Sequence, residues 1–280
     1  MGRRLGAGLR PDARPMSLAT QNPGTTVGGG NLTASTPRRA SRTDRTAGHV
    51  TMTELRRDFH DRMAHVHRKL GSVVTSVAAS VESVTEFLTG AGDVPAVVDD
   101  ASVDAAYAWL EEEIFDLVAL QAPVGRDLRF LTASLRIGQA IERAGDLVSS
   151  IAFRSELLRP YASTPILSPT IRGLGTGGAG MLRGAASAYA VLDASLAEDV
   201  AARDDDIDEL HRALVRTVYG MEGLALEPAV ELGLVGRFYE RIGDHAVVIA
   251  ERVRFIATSE MNPGDSDESE GWSAEEEDGP

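Results

Sequence analysis

The chain carries the same acid-bearing phrase twice. Glu142-Arg143-Ala144-Gly145-Asp146 returns ninety-eight residues later as Glu240-Arg241-Ile242-Gly243-Asp244. Over the thirteen positions of 142–154 and 240–252, seven are identical. Each phrase spaces two carboxylates four residues apart, which places them side by side on a helix surface. The repeat extends upstream. Asp100-x3-Asp104 precedes the first phrase, Asp204-x3-Asp208 precedes the second, and each has an aliphatic residue (Val103, Ile207) before its second Asp. Each half therefore holds two carboxylate pairs on two helices. If those helices pack antiparallel, four acids converge. Converging carboxylates favour hard or borderline cations: Mg, Mn, Ca, Fe, or Zn with a further donor. The predicted metal-ligating residues are Asp100, Asp104, Glu142 and Asp146 in the first half and Asp204, Asp208, Glu240 and Asp244 in the second.

A second reading uses no metal. Paired like charges cost a few tenths of a kcal/mol on a helix. Arg143, Arg241 and Arg237 each stand three residues before an acid and could offset that cost. Glu142, Asp100, Asp104 and Asp204 have no basic residue three or four positions away, which favours the metal.

Catalysis is not expected. Di-iron bundles of the ferritin type use Glu-x-x-His; the nearest match is Asp208-Glu-Leu-His211. His65 and His67, two apart, do not share a helix face, and His245 reads as a polar edge residue. No Ser, Thr or Lys sits in a nucleophile setting. The alternative class is a carboxylate-bridged metal-storage or metalloenzyme bundle.

The elements that must position these acids are helices. Leu55, Phe59, Met63, Val66, Leu70, Val73, Val77, Val81 or Val84, and Leu88 step by threes and fours, and Gly90-Ala-Gly92 ends that helix. Further helices are predicted over about 94–120, from Pro123 to about 158, 168–196, 197–219 and 229–257. Nothing in 52–258 alternates with period two. Residues 173–180 hold five glycines, so the fourth helix should start late or be locally weak, since glycine costs up to about 1 kcal/mol per position. Its GxGxxG-like spacing follows no strand, so a nucleotide loop is rejected. The predicted fold is all-α, a tandem repeat of two antiparallel three-helix bundles over 51–160 and 161–259.

Both ends differ from this middle. Residues 1–51 hold eight arginines and two acids among Gly, Pro, Ser and Thr. They read as a disordered basic extension (1–50), or as sequence upstream of a native start at Val50 or Met52. Residues 260–280 hold nine acids and no base and read as a disordered acidic tail. The net charge of −14 leaves −11 on the middle, which argues against nucleic-acid binding. There is no cysteine, excluding disulfides and thiolate chemistry. No stretch of eighteen apolar residues is present, so no helix is expected to insert in a membrane.

Over about 52–258 the chain resembles the PhoU family of bacterial phosphate-uptake regulators. The residues that carry the likeness are Asp100-x3-Asp104, Gln121-Ala-Pro-Val-Gly-Arg126-Asp127-Leu-Arg129, Glu142-Arg-Ala-Gly-Asp146, Asp204-x3-Asp208 and Glu240-Arg-Ile-Gly-Asp244-His-Ala. The resemblance implies two tandem three-helix bundles in a cytoplasmic protein, often a homodimer, held at the inner membrane face through partners. It implies a negative regulator, not an enzyme, coupling the high-affinity phosphate ABC transporter to a phosphate-sensing histidine kinase and its response regulator. It implies divalent or trivalent metal ions, such as Fe, Zn, Mn or Mg, on the four acid pairs. Arg126, Asp127, Arg129, Arg143 and Arg241 become candidate partner-contact or structural residues, the arginines by pairing acids within the bundle. Ala144 stands where the family usually has Ile, and the Arg126–Arg129 segment has no full copy in the second half, so the two sites need not be equivalent.

Overall fold

The computed structural model describes residues 51–97 and 99–260; both predicted tails lie outside them. The described residues form seven helices and no strand: α1 (Met52–Leu88), α2 (Asp100–Gln121), α3 (Arg126–Ala162), α4 (Ser168–Val191), α5 (Ala194–Ala201), α6 (Asp204–Tyr219) and α7 (Leu226–Thr258). Thr51 caps α1. Its hydroxyl accepts from the Glu54 amide at 3.2 Å while the Glu54 carboxylate accepts from the Thr51 amide at 2.7 Å, a reciprocal capping box. Along α1 the buried stripe is Phe59, Val66, Leu70, Val74, Val77, Val81, Val84 and Leu88. Each such side chain contributes about 1.5–3 kcal/mol on leaving water.

Several helix ends differ from expectation. The second helix begins at Asp100, not Val94: the Ala96 amide donates to Ser83 Oγ at 2.7 Å, holding the preceding segment against α1. The third begins at Arg126, after Gly125 turns at φ 58, and runs through Pro160 to Ala162. Near a helix end that proline interrupts little of the ladder. The fourth stops at Val191, where Leu192 takes a left-handed φ of 52. Asp193 then caps a new helix by accepting the amides of Ser195 (2.8 Å) and Leu196 (3.1 Å). The predicted fifth helix is itself two, α5 and α6, broken at Ala202 and Arg203.

The glycine-dense start of α4 is not weak; it is helical from Ser168. Its glycines make room for neighbours. A methyl group at 175 would collide with Thr85 of α1, and one at 177 with Ile207 of α6. The propensity lost is offset by close packing of three helices.

Helices α1, α2 and α3 form the first bundle, and α4, α5–α6 and α7 the second. The repeat-related helices also pack across: α1 against α4 and α3 against α7, so one hydrophobic cluster runs through both bundles. Both crossings are antiparallel. Late in α3, Arg154 pairs with Glu231 early in α7 at 2.7 Å. His67, early in α1, donates through Nε2 to the Tyr189 carbonyl late in α4 at 2.7 Å, while Gly175 faces Thr85 at the other end. The Tyr239 hydroxyl of α7 meets Thr85 Oγ1 in the core at 2.8 Å. α2 is fixed to α1 by a two-pronged Arg62–Glu113 pair (2.7 and 2.9 Å) and by Lys69 over the Trp109 ring at 3.8 Å.

Candidate metal centre

Glycines set how closely the acid-bearing helices approach. On α3, Gly138 lies under Leu110 and Gly145 under Val103 of α2; a Cβ at 145 would be 3.4 Å from Val103. The second bundle repeats this ninety-eight residues on. A Cβ at Gly236 of α7 would be 2.8 Å from Leu214, and one at Gly243 would be 3.6 Å from Ile207, both of α6. The two glycines of each pair are seven residues apart, on one helix face. The first turns of α2 and α6 are thereby laid along α3 and α7. Those first turns carry Asp100 and Asp204, where a helix N-terminus favours negative charge, and Asp104 and Asp208 follow one turn on.

In the first bundle one oxygen each from Asp104, Glu142 and Asp146 lies within 4.8 Å of the others. Asp104 is exposed; Glu142 and Asp146 are half-buried. Asp100, exposed at the start of α2, accepts a long 3.4 Å hydrogen bond from Ser149 Oγ beside this group. Burial raises the Glu142 carboxyl above its ordinary range, and the charges of Asp146, Asp104 and Asp100 raise it further against the pull of Arg143. Asp146 is raised by burial first, then by Asp100 and Asp104. Arg143 is exposed, 3.4 Å from Glu142 and 3.7 Å from Asp146, so the metal-free reading is met in part here.

In the second bundle the four acids also act on one another. Asp204 is raised by burial, Asp244 and Asp208; Glu240 by burial, Asp244, Asp208 and Asp204; Asp244 by burial and Asp208, with Arg237 and Arg241 opposing. No three of their oxygens gather as the first group does among the described residues. Glu240 is the most buried acid of the set, 8% exposed. One of its oxygens takes the Arg237 guanidinium; the other is buried with no hydrogen-bond partner. Arg212 stands 3.8 Å from Asp208.

The remaining predicted residues fall outside these groups. Arg126 opens α3 in solvent, Asp127 is half-buried in its first turn, and Arg129 is half-buried with its Nε unbonded. Arg241 is exposed on α7, and its field reaches Asp244 and His245. His245 is half-buried with Nε2 unbonded, pushed down to about 4 by burial and by the charges of Arg241 and Arg143. His211 packs beside Gly236, and burial lowers it too.

The donors fit a hard cation. In the first group they are oxygens only with charges incompletely offset, and in the second the buried Glu240 oxygen has no partner. Sequence reasoning missed the glycine pairs and Arg212. The glycine signal was present: Gly138 and Gly236 recur at the same ninety-eight-residue interval as the acids.

Known proteins share this fold. A family model described as "PhoU domain" matches residues 67–154 and again 171–253, one match in each bundle. The chain is 31% identical to phosphate-specific transport system accessory protein PhoU homolog 1 of Mycobacterium leprae, over 76% of this chain and 98% of that protein. It is 30% identical to PhoU homolog 2 of Mycobacterium tuberculosis, over 73% of this chain and 98% of that one. Its fold is similar to the crystal structures of PhoU from Pseudomonas aeruginosa (TM-score 0.59, 23% identity, covering 75% of this chain and 100% of that one) and of the phosphate transport system regulatory protein PhoU from Streptococcus pneumoniae (TM-score 0.60, 21%, covering 74% and 98%). Two bundles, two acid-bearing helix pairs and two family matches in register make this chain a member of the PhoU family.

Proposed function

We propose that this protein is a metal-binding adaptor that regulates phosphate uptake and homeostasis. It would restrain the high-affinity phosphate ABC transporter and the phosphate-sensing histidine kinase with its response regulator, from the cytoplasm and as a homodimer, without catalysing a reaction. The observation that supports this most is the Asp104–Glu142–Asp146 group within 4.8 Å in a chain whose relatives are named phosphate-specific transport system accessory proteins.

Each part of the site has a task in this reading. Gly138 and Gly145 bring α2 onto α3, so acids from two helices reach one point. The α2 N-terminus lowers the cost of assembling them. Burial of Glu142 and Asp146 keeps water from screening their charge. A bound cation would neutralise the cluster and clamp α2 to α3, fixing the acidic face that a partner meets. Charge on that face sets partner choice and encounter rate more than affinity.

Two measurements test the proposal. Elemental analysis of protein purified without chelator should find Mn, Fe, Mg or Zn, and an Asp104→Ala/Glu142→Ala variant should hold less; equal content removes the site. Capture from phosphate-replete cells should recover a histidine kinase or a transporter component. Recovery of neither, from replete or starved cells, removes the regulatory reading.

A further inference from the structure

The two acid sites differ in which residues balance them. In the second bundle, Arg237 pairs with Glu240, and Arg212, which hydrogen-bonds Glu209 at 3.1 Å, also stands 3.8 Å from Asp208. The repeat puts Gln139 at the first-bundle position of Arg237, ninety-eight residues earlier on α3. Matching Asp104 to Asp208 puts Ala108 at the position of Arg212. The first bundle has neither cation, but its Arg143 stands 3.4 Å from Glu142 and 3.7 Å from Asp146, whereas Arg237 hydrogen-bonds Glu240 directly.

Arg237 does not complete its site. Glu240 is 8% exposed, and its second oxygen is buried without a partner among Asp204, Asp208 and Asp244. A guanidinium that satisfies one oxygen and leaves the other bare holds the carboxylate without filling the space between the acids. Arg237 itself is half exposed, with 52% of its side chain in solvent, and can swing away when a stronger cation arrives.

Resting on the metal-binding reading above, we propose that Arg237 and Arg212 act as built-in counter-ions that latch the second site. In the first bundle Arg143 stands off its acids, so a divalent cation enters without displacing a hydrogen bond. The second takes one only as Arg237 leaves Glu240, so the two sites of one chain load in order, first bundle before second. Exposed arginine–carboxylate pairs are each worth up to about 1 kcal/mol, which for two pairs separates the affinities by about tenfold.

Titration of metal-stripped full-length protein with Mn2+ alone, followed by electron paramagnetic resonance of the free ion, tests this. The wild type should show a tight and a weak class. Arg237→Gln/Arg212→Ala, which copies the first bundle's Gln139 and Ala108, should tighten the weak class about tenfold and leave the tight class in place. Asp104→Ala/Glu142→Ala should delete the tight class. Two equal classes, or a weak class unmoved by the arginine substitutions, overturn the latch and leave metal binding standing. A tight class that survives Asp104→Ala/Glu142→Ala overturns the loading order. No Mn2+ bound to the wild type overturns the metal reading together with the latch. Arg237 and Arg212 are exposed, so their variant should melt as a folded protein by circular dichroism, which keeps each outcome readable.

Discussion

Leu110 of α2 rests on the bare backbone of Gly138 in α3, closer than any side chain at 138 would allow. That contact and the Val103–Gly145 contact two turns away decide whether Asp104 reaches Glu142 and Asp146. Gly138→Ala should cost about 1–3 kcal/mol by overpacking, although alanine is the better helix former. It should also weaken Mn2+ binding at the first site. Urea unfolding and Mn2+ titration of the variant measure both; a gain in stability would show that α2 is free to move aside.

Burial and the charges of Asp146, Asp104 and Asp100 all work against a charged Glu142, with Arg143 opposing them. Glu142→Gln should therefore stabilise the metal-free protein, by about 0.5 kcal/mol, while lowering its affinity for a divalent cation. The two effects have opposite signs, so thermal melts with chelator and with excess Mn2+ should cross over.

His245 gives the metal-free protein an acid-side weakness. Its folded value, about 4, lies below the 6.5 of the unfolded chain. Above 6.5 neither state binds the proton and no stability is lost. As pH falls from 6.5 toward 4 the unfolded chain protonates first, and stability drops by on the order of 2 kcal/mol for a half-buried group. The raised carboxyls of Glu142, Asp146, Asp204, Glu240 and Asp244 act oppositely, because the folded state takes up their protons first. His245→Leu, which copies Leu147 of the first bundle, should remove the loss between pH 6.5 and 4 and leave stability at pH 8 nearly unchanged. Urea midpoints across that range check it.

Tyr239→Phe should cost about 1 kcal/mol. It removes the 2.8 Å bond to Thr85, whose own hydroxyl keeps the Val81 carbonyl as acceptor. The residues belong to different bundles, so the loss should appear as one cooperative transition at lower denaturant, not as separate melting of the second bundle.

Much of this arrangement is legible along the chain because duplication makes each signal appear twice. Glu142 and Glu240, Asp104 and Asp208, and the helical stripe from Phe59 to Leu88 could be read from spacing alone. The Thr51-x-x-Glu54 capping box that starts α1 was present as a pattern but went unread. What could not be read was whichever depends on a partner far along the chain. Gly175 and Gly177 look like helix breakers until Thr85 and Ile207 are seen against them. Asp193 looks like one more surface acid until its carboxylate is found capping the start of α5, which ends the predicted fourth helix at Val191. Arg237 was visible as a partner for Glu240. That it leaves one oxygen bare is a property of burial, which no spacing records.

The antiparallel crossing of α3 and α7 has a mechanical consequence. Each helix carries half of one acid cluster on one flank and packs on the other helix along its length. A pull that draws α2 onto α3 is delivered to the same helix pair that supports α6. The bundles share one core through α1–α4 and α3–α7, so they cannot swivel independently to absorb it. On the metal-binding proposal, loading one end of this molecule would stiffen the platform beneath the other, with no moving joint needed to cross the chain.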